Sequence, residues 1–258
     1  MTEHVRIAVE EGVLRITLAR PDKKNALTQA MYTALGAALT RADGDASVRV
    51  VLLEAEGDAF TAGNDLGDFA AVAAGKLDRK AMTTHAFLGA LAHARKPIVA
   101  AVNGLAVGIG VTMLLHCDLV FVAEDAKLST PFVNLALVPE AASSVLLQAR
   151  IGYARAYAMF ALGEPIDGRT AASIGLANAS LPASEVRGAA LAAAKKLATK
   201  PLGALQATKQ LMRDGAAIAA VMAKESEIFG TRLQSPETAE ALRAFAERRA
   251  PDFTKFAG

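Results

Sequence analysis

Strand-like and helix-like stretches alternate along this chain only up to about residue 180, and every periodic stretch beyond is helical. This layout implies an α/β core followed by a helical C-terminal region. Val5, Ile7 and Val9 recur at every second position, as do Leu14, Ile16 and Leu18, with Glu11-Gly12 between the runs. That is the pattern of a β-hairpin. Thr28 precedes a helical pattern through Met31, Leu35, Ala38 and Leu39 and fits an N-cap. Buried strands are expected over 48–55, 98–102 and 119–123, a glycine-containing loop over 57–65, and helices over 65–74 and 79–94. A small-residue stretch, 106–111, leads into a helix ending near His116. After Pro131 strands thin out, and helices are expected over 143–151, 154–162, 167–174, 183–198, 202–214, 217–233 and 236–248.

Composition removes several classes of protein. Of 258 residues, 53% are hydrophobic and 21% charged, which is too apolar for a mainly disordered chain. Lys and Arg total 28 and Asp and Glu 26, a net charge of +2 without a polybasic block. Neither nucleic acid nor a membrane is therefore expected as a partner. Cys117 is the sole cysteine and the four histidines are scattered, so no disulfide framework and no metal site is expected. The best apolar run, Ile98 to Leu115, is broken by Asn103 and three glycines, too short for a membrane span. Met1 to Val5 lead straight into a strand pattern without the look of a signal peptide, and a cytoplasmic protein is expected.

Three segments could carry chemistry. Ala59-Phe60-Thr61-Ala62-Gly63-Asn64-Asp65-Leu66 leaves a strand through small residues and enters a helix, offering unpaired N–H groups to developing negative charge. It reads equally as an ordinary turn with Asp65 as N-cap. Val102-Asn103-Gly104-Leu105-Ala106-Val107-Gly108-Ile109-Gly110-Val111 has the same layout, and close helix packing through glycine explains it too. Its spacing fits neither a dinucleotide nor a nucleotide-phosphate loop. In Leu137-Val138-Pro139-Glu140-Ala141-Ala142-Ser143-Ser144, a carboxylate stands among apolar and small residues just before a helix, a position the helix dipole alone would favour. His116-Cys117-Asp118 contains the residue types of a triad, but sequence neighbours point apart, and a structural role is expected.

Together these segments resemble the crotonase (enoyl-CoA hydratase/isomerase) superfamily over essentially the whole chain. Arg20-Pro21-Asp22-Lys23-Lys24-Asn25-Ala26-Leu27 is similar to the family's R-P-x-x-x-N-A-L, and Cys117-Asp118 and 168–177 also fit. The resemblance implies a crotonase-type α/β spiral of ββα units over 1–195, carrying an acyl-CoA site. Residues 196–258 would form a helical trimerisation region, giving a homotrimer or a dimer of trimers. The ligand would be an acyl-CoA thioester, with no cofactor beyond its CoA moiety. An oxyanion hole of two backbone N–H groups falls by position at Ala62 and Ile109. Substrate or CoA contacts fall at Lys24, Ala26, Gly63, Asn64, Asp65, Leu66, Gly108, Pro131, Phe132, Phe245 and Arg248, with Lys23 and Lys24 suited to phosphate.

Hydratases of the family place water with two glutamates, whose positions are occupied here by Thr112 and Phe132. Glu140 lies in a segment similar to that carrying the single catalytic glutamate of peroxisomal-type Δ3,Δ2-enoyl-CoA isomerases. Ala62-Gly63-Asn64-Asp65-Leu66 is similar to that group's Ser-Gly-Asn-Asp-Leu. The resemblance implies an isomerase of fatty-acid oxidation with Glu140 as its one base. Phe132, Leu135, Leu137 and Val138 are expected to desolvate Glu140 and raise its pKa. The alternatives are another crotonase reaction, hydration or hydrolysis, or a weakly catalytic acyl-CoA-binding relative.

Overall fold

The computed structural model describes residues 2–65, 67–68, 71 and 82–256. The helix expected over 65–74, the start of that expected over 79–94, and Leu66 fall largely or wholly outside the described residues. Strands β1 (Val5–Glu10) and β2 (Val13–Leu18) pair antiparallel, Glu10 opposite Val13. Glu11 and Gly12 between them both have positive φ, 51° and 79°, as a two-residue hairpin turn requires. Helix α1 (Gln29–Gly44) begins at Thr28, whose side chain accepts a hydrogen bond from Met31 N.

Three strand pairs follow: β3 (Val50–Ala55) with β4 (Ala59–Thr61), β5 (Ile98–Val102) with β6 (Leu105–Val107), and β7 (Leu119–Ala123) with β8 (Lys127–Ser129). The first strand of each pair joins a six-stranded sheet, ordered β1-β2-β3-β5-β7-β10. The second joins a four-stranded sheet, β4-β6-β8-β9, with β9 at Ile166–Asp167 and β10 at Ala179–Leu181. Each repeat thus places one strand in each sheet and advances one position, which winds the chain into a spiral. β3 and β5 are buried at every residue, as parallel strands covered on both faces are.

Helices α2 (Thr84–His93), α3 (Ile109–Thr112), α4 (Ser143–Ile151), α5 (Tyr153–Leu162) and α6 (Gly168–Ser173) fill the connections. Helix α7 (Ala183–Ala198) lies on the large sheet, and α8 (Leu202–Met212), α9 (Gly215–Leu233) and α10 (Pro236–Ala246) complete the chain. Two expectations need correction. The loop expected over 57–65 contains β4, while the short β9 and β10 are the sparse strands that follow Pro131. The division after residue 195 also falls inside α7, whose buried Ala198 still belongs to the core of the spiral.

Candidate active site

Two neighbouring segments bring free backbone donors to one cavity. Asn64 forms a parallel bridge with Leu27: Leu27 N donates to Gly63 O at 2.8 Å, and Asp65 N donates to Leu27 O at 3.0 Å. In a parallel bridge the bracketed residue turns its own N–H to the other side. Among the described residues, Asn64 N–H has no acceptor, and Asn64 lines the cavity. Ile109 is the first residue of α3, so its N–H has no intrahelical partner, and it lines the same cavity. Gly63 keeps the segments close: its φ is 91°, and a Cβ there would stand 2.8 Å from Val107 O.

Ala62, expected as the first oxyanion donor, is not one. Its N–H donates to Lys24 O at 2.8 Å, which ties the basic turn to the cavity edge. The unspent donor lies two residues on, at Asn64, because the register with Leu27 decides which amides are consumed. Ile109, the other expected donor, stands at the first position of α3 on the cavity wall.

The cavity below these donors measures about 350 Å³, and Ala62, Gly63, Gly108, Pro131 and Phe132 also line it. Phe245 and Arg249 close it from the C-terminal side. Arg248 lies outside it, exposed, just past α10. Lys24 and Ala26 are beside the cavity rather than in it, and Ala26 O accepts from Arg20. Asp65 is held by Arg20 Nη1 at 2.9 Å and accepts from Gly67 N at 3.1 Å. The Arg20 hydrogen bond lowers its pKa, so it stays ionised as a structural anion.

Glu140 faces a second cavity of about 510 Å³ between α2 and α9, which meets the first at Asn64 and Phe229. Met82, Leu88, Met222, Phe229 and Leu233 supply its apolar wall. Of the residues expected to desolvate it, Phe132, Leu135 and Leu137 line the donor cavity and pack in one cluster with Met82, Phe229 and Leu233, and Val138 lines neither cavity. Loss of hydration pushes the Glu140 carboxyl up to about 7. The hydrogen bond donated by Thr112 Oγ1, 2.7 Å long, pulls the other way, and the charge of Glu225 adds to the rise. The buried Tyr32 hydroxyl donates to Asn64 Oδ1 and fixes that side chain where the cavities join.

Glu140 opens a tight turn that Ser143 N closes on Glu140 O at 3.1 Å. Its central residues, Ala141 and Ala142, have φ of 61° and 57°, a conformation that costs an L-residue about 1–2 kcal/mol each. His116 supports the turn, with Nε2 donating to Ala141 O at 2.8 Å. Its Nδ1 accepts from Arg213, so the proton resides on Nε2. Burial, then the Arg213 charge, lower His116 to about 3 and keep it neutral. Sequence reasoning gave Thr112, Tyr32, Glu225 and Arg249 no such parts, since each depends on contacts distant in sequence. No group of three His, Cys, Asp or Glu among the described residues could hold a metal ion. None of their helices is long and apolar enough to cross a membrane.

The sequence model of the enoyl-CoA hydratase/isomerase family matches residues 8–256. A probable enoyl-CoA hydratase of Rhodobacter capsulatus is 35% identical over 97% of both chains. Enoyl-CoA delta isomerase 2 of Rattus norvegicus is 33% identical over 95% of this chain and 64% of its own. The crystal structure of an enoyl-CoA hydratase/isomerase from Pseudoalteromonas atlantica superposes with a TM-score of 0.92 at 38% identity, over 98% of this chain and 100% of that one. The chain belongs to the enoyl-CoA hydratase/isomerase family, and its spiral is the crotonase fold.

Proposed function

We propose that the protein isomerises 3-enoyl-CoA to 2-enoyl-CoA with Glu140 as its single proton carrier. The carrying observation is a cavity-facing carboxyl raised to about 7, beside two unspent backbone donors. Removing a proton from C2 places negative charge on the thioester oxygen, which Asn64 N–H and Ile109 N–H would stabilise. Glu140 takes the C2 proton and returns it to C4. A carboxyl near neutrality suits both steps, because proton transfer is efficient in each direction when the pKa lies near the working pH. The apolar wall keeps water from the dienolate. Such a reaction needs no cofactor beyond the substrate's CoA, whose phosphates would meet Lys23 and Lys24. The remaining parts of the proposal are a cytoplasmic setting in fatty-acid oxidation and a trimeric assembly.

Hydratase relatives make hydration the second reading. Thr112 and Phe132 weaken it, because neither side chain supplies a second carboxylate to activate water. A panel of 3-enoyl- and 2-enoyl-CoA esters separates the two. Isomerisation of the former with little hydration of the latter is expected, and release of 3-hydroxyacyl-CoA alone would overturn the reading. Glu140→Gln should lower turnover of 3-enoyl-CoA ~10²–10⁴-fold.

A further inference from the structure

The turn that carries Glu140 depends on a carboxylate from another helix. Ala142 occupies the N-cap position of α4 in a left-handed conformation, and α4 receives no cap from its own segment. Glu225, buried on α9, supplies one: it accepts from Ala142 N at 2.6 Å and from Ser144 N at 2.9 Å. Among the described residues its carboxylate makes no ion pair; burial raises its pKa, and the Ser144 hydroxyl and the Ser144 and Ala142 N–H groups, which hydrogen-bond it, pull the other way. The charge therefore rests on the first turn of a helix, where unpaired amides favour an anion.

We infer that Glu225 is a positioning residue for Glu140: from α9 it fixes the turn that aims Glu140 into the cavity and sets a buried carboxylate, without an ion pair, behind it. The inference rests on the reading of Glu140 as proton carrier. Two effects follow. Without both hydrogen bonds, two alanines at positive φ lose their main restraint and the acid drifts from the reacting carbons. Without the charge, ionised Glu140 is less disfavoured, so it becomes a base at lower pH. The polar groups around Glu140 include Thr112 from α3, Tyr32 from α1, Thr84 and His85 from α2, Ser226 and Glu227 from α9, and Asn64. His116 and Arg213 lie behind Ala141. The anion whose charge raises Glu140 is Glu225.

The test uses the full-length enzyme. Glu225→Gln keeps the shape, loses the charge, and turns a donor NH2 toward one of the two N–H groups, each of which now bonds a different oxygen. Turnover of 3-enoyl-CoA should fall roughly 10–10²-fold, as for a slightly misplaced catalytic group, with KM little changed. The acid limb of the pH–rate profile should move to lower pH. The Glu140 carboxyl, followed by NMR in ¹³C-glutamate-labelled protein and assigned with Glu140→Gln, should titrate lower in Glu225→Gln. Glu225→Asp keeps the charge on a shorter arm; it should lose turnover with a titration near wild type, and it serves if Glu225→Gln fails to fold. Wild-type turnover in folded Glu225→Gln or Glu225→Asp, or an unmoved Glu140 titration in folded Glu225→Gln, would overturn the inference. Should Glu140→Gln remain fully active, the isomerase reading fails by itself, and the NMR titration still reports whether Glu225 acts on Glu140.

Discussion

At position 112 a threonine stands where the family resemblance puts a hydratase glutamate, and its hydroxyl donates to Glu140 at 2.7 Å. This bond favours the ionised carboxyl, so Thr112→Val should raise Glu140 above its value of about 7. Turnover at neutral pH should fall and recover at higher pH, seen as an acid limb displaced upward in a pH–rate profile. A stability consequence has the opposite dependence on protonation. Because the folded carboxyl titrates higher than an unfolded one, the native state binds more protons between the two values and loses stability as pH rises through that window. Glu140→Gln should therefore raise Tm relative to wild type more at pH 8 than at pH 4.5, measurable by calorimetry. The sequence singled out the segment of Glu140, and the structure turns that carboxyl toward a cavity. Which amide stays unspent was not legible in the sequence, because Ala62 and Asn64 both lie in one small-residue turn. Only pairing with Lys24 and Leu27, about forty residues away, decides which N–H is spent.

Among the elements, α3 is short, and its first residue carries one of the two donors. Proline suits the first helical position and lacks the N–H. Ile109→Pro should thus reduce kcat by ~10²–10³ while CoA-ester affinity holds, measured by turnover and calorimetric titration. Tm will also drop, since the Ile109 side chain is buried. At the other wall, Glu240 of α10 receives Arg243, Arg249 and Asp252 N and folds the following residues back over the donor cavity. The hydrogen bond with Arg249 leads in lowering Glu240 to about 2. Its contribution is present above the ordinary carboxylate range and is lost as pH falls toward that value. Glu240→Gln should raise KM for acyl-CoA and speed tryptic cleavage near Arg248. Long elements were readable because periodicity and local punctuation define them: the sequence placed α4 and α7 within the limits observed. Strands β4, β6, β8, β9 and β10 have only two or three residues, and pairing rather than propensity creates them.

For the whole molecule, apolar surface is concentrated on helices outside the sheets. Leu211 and Met212 are 90% and 83% exposed at the end of α8, and Tyr153 and Tyr157 stack on the outer side of α5. Surface of this kind fits contact with further copies. Light scattering at micromolar concentration is expected to give the mass of a trimer or hexamer, and Leu211→Glu with Met212→Glu should shift it toward the monomer. The order of the polypeptide adds a temporal constraint. A ribosome delivers both amide donors and the acid itself well before it delivers Glu225, which lies 83 residues after Ala142. A nascent chain in between holds the two amides and the acid but lacks Glu225 and the cavity walls Phe229, Leu233, Phe245 and Arg249. On the reading of Glu225 as a positioning residue, the site is complete only once α9 docks, late in synthesis.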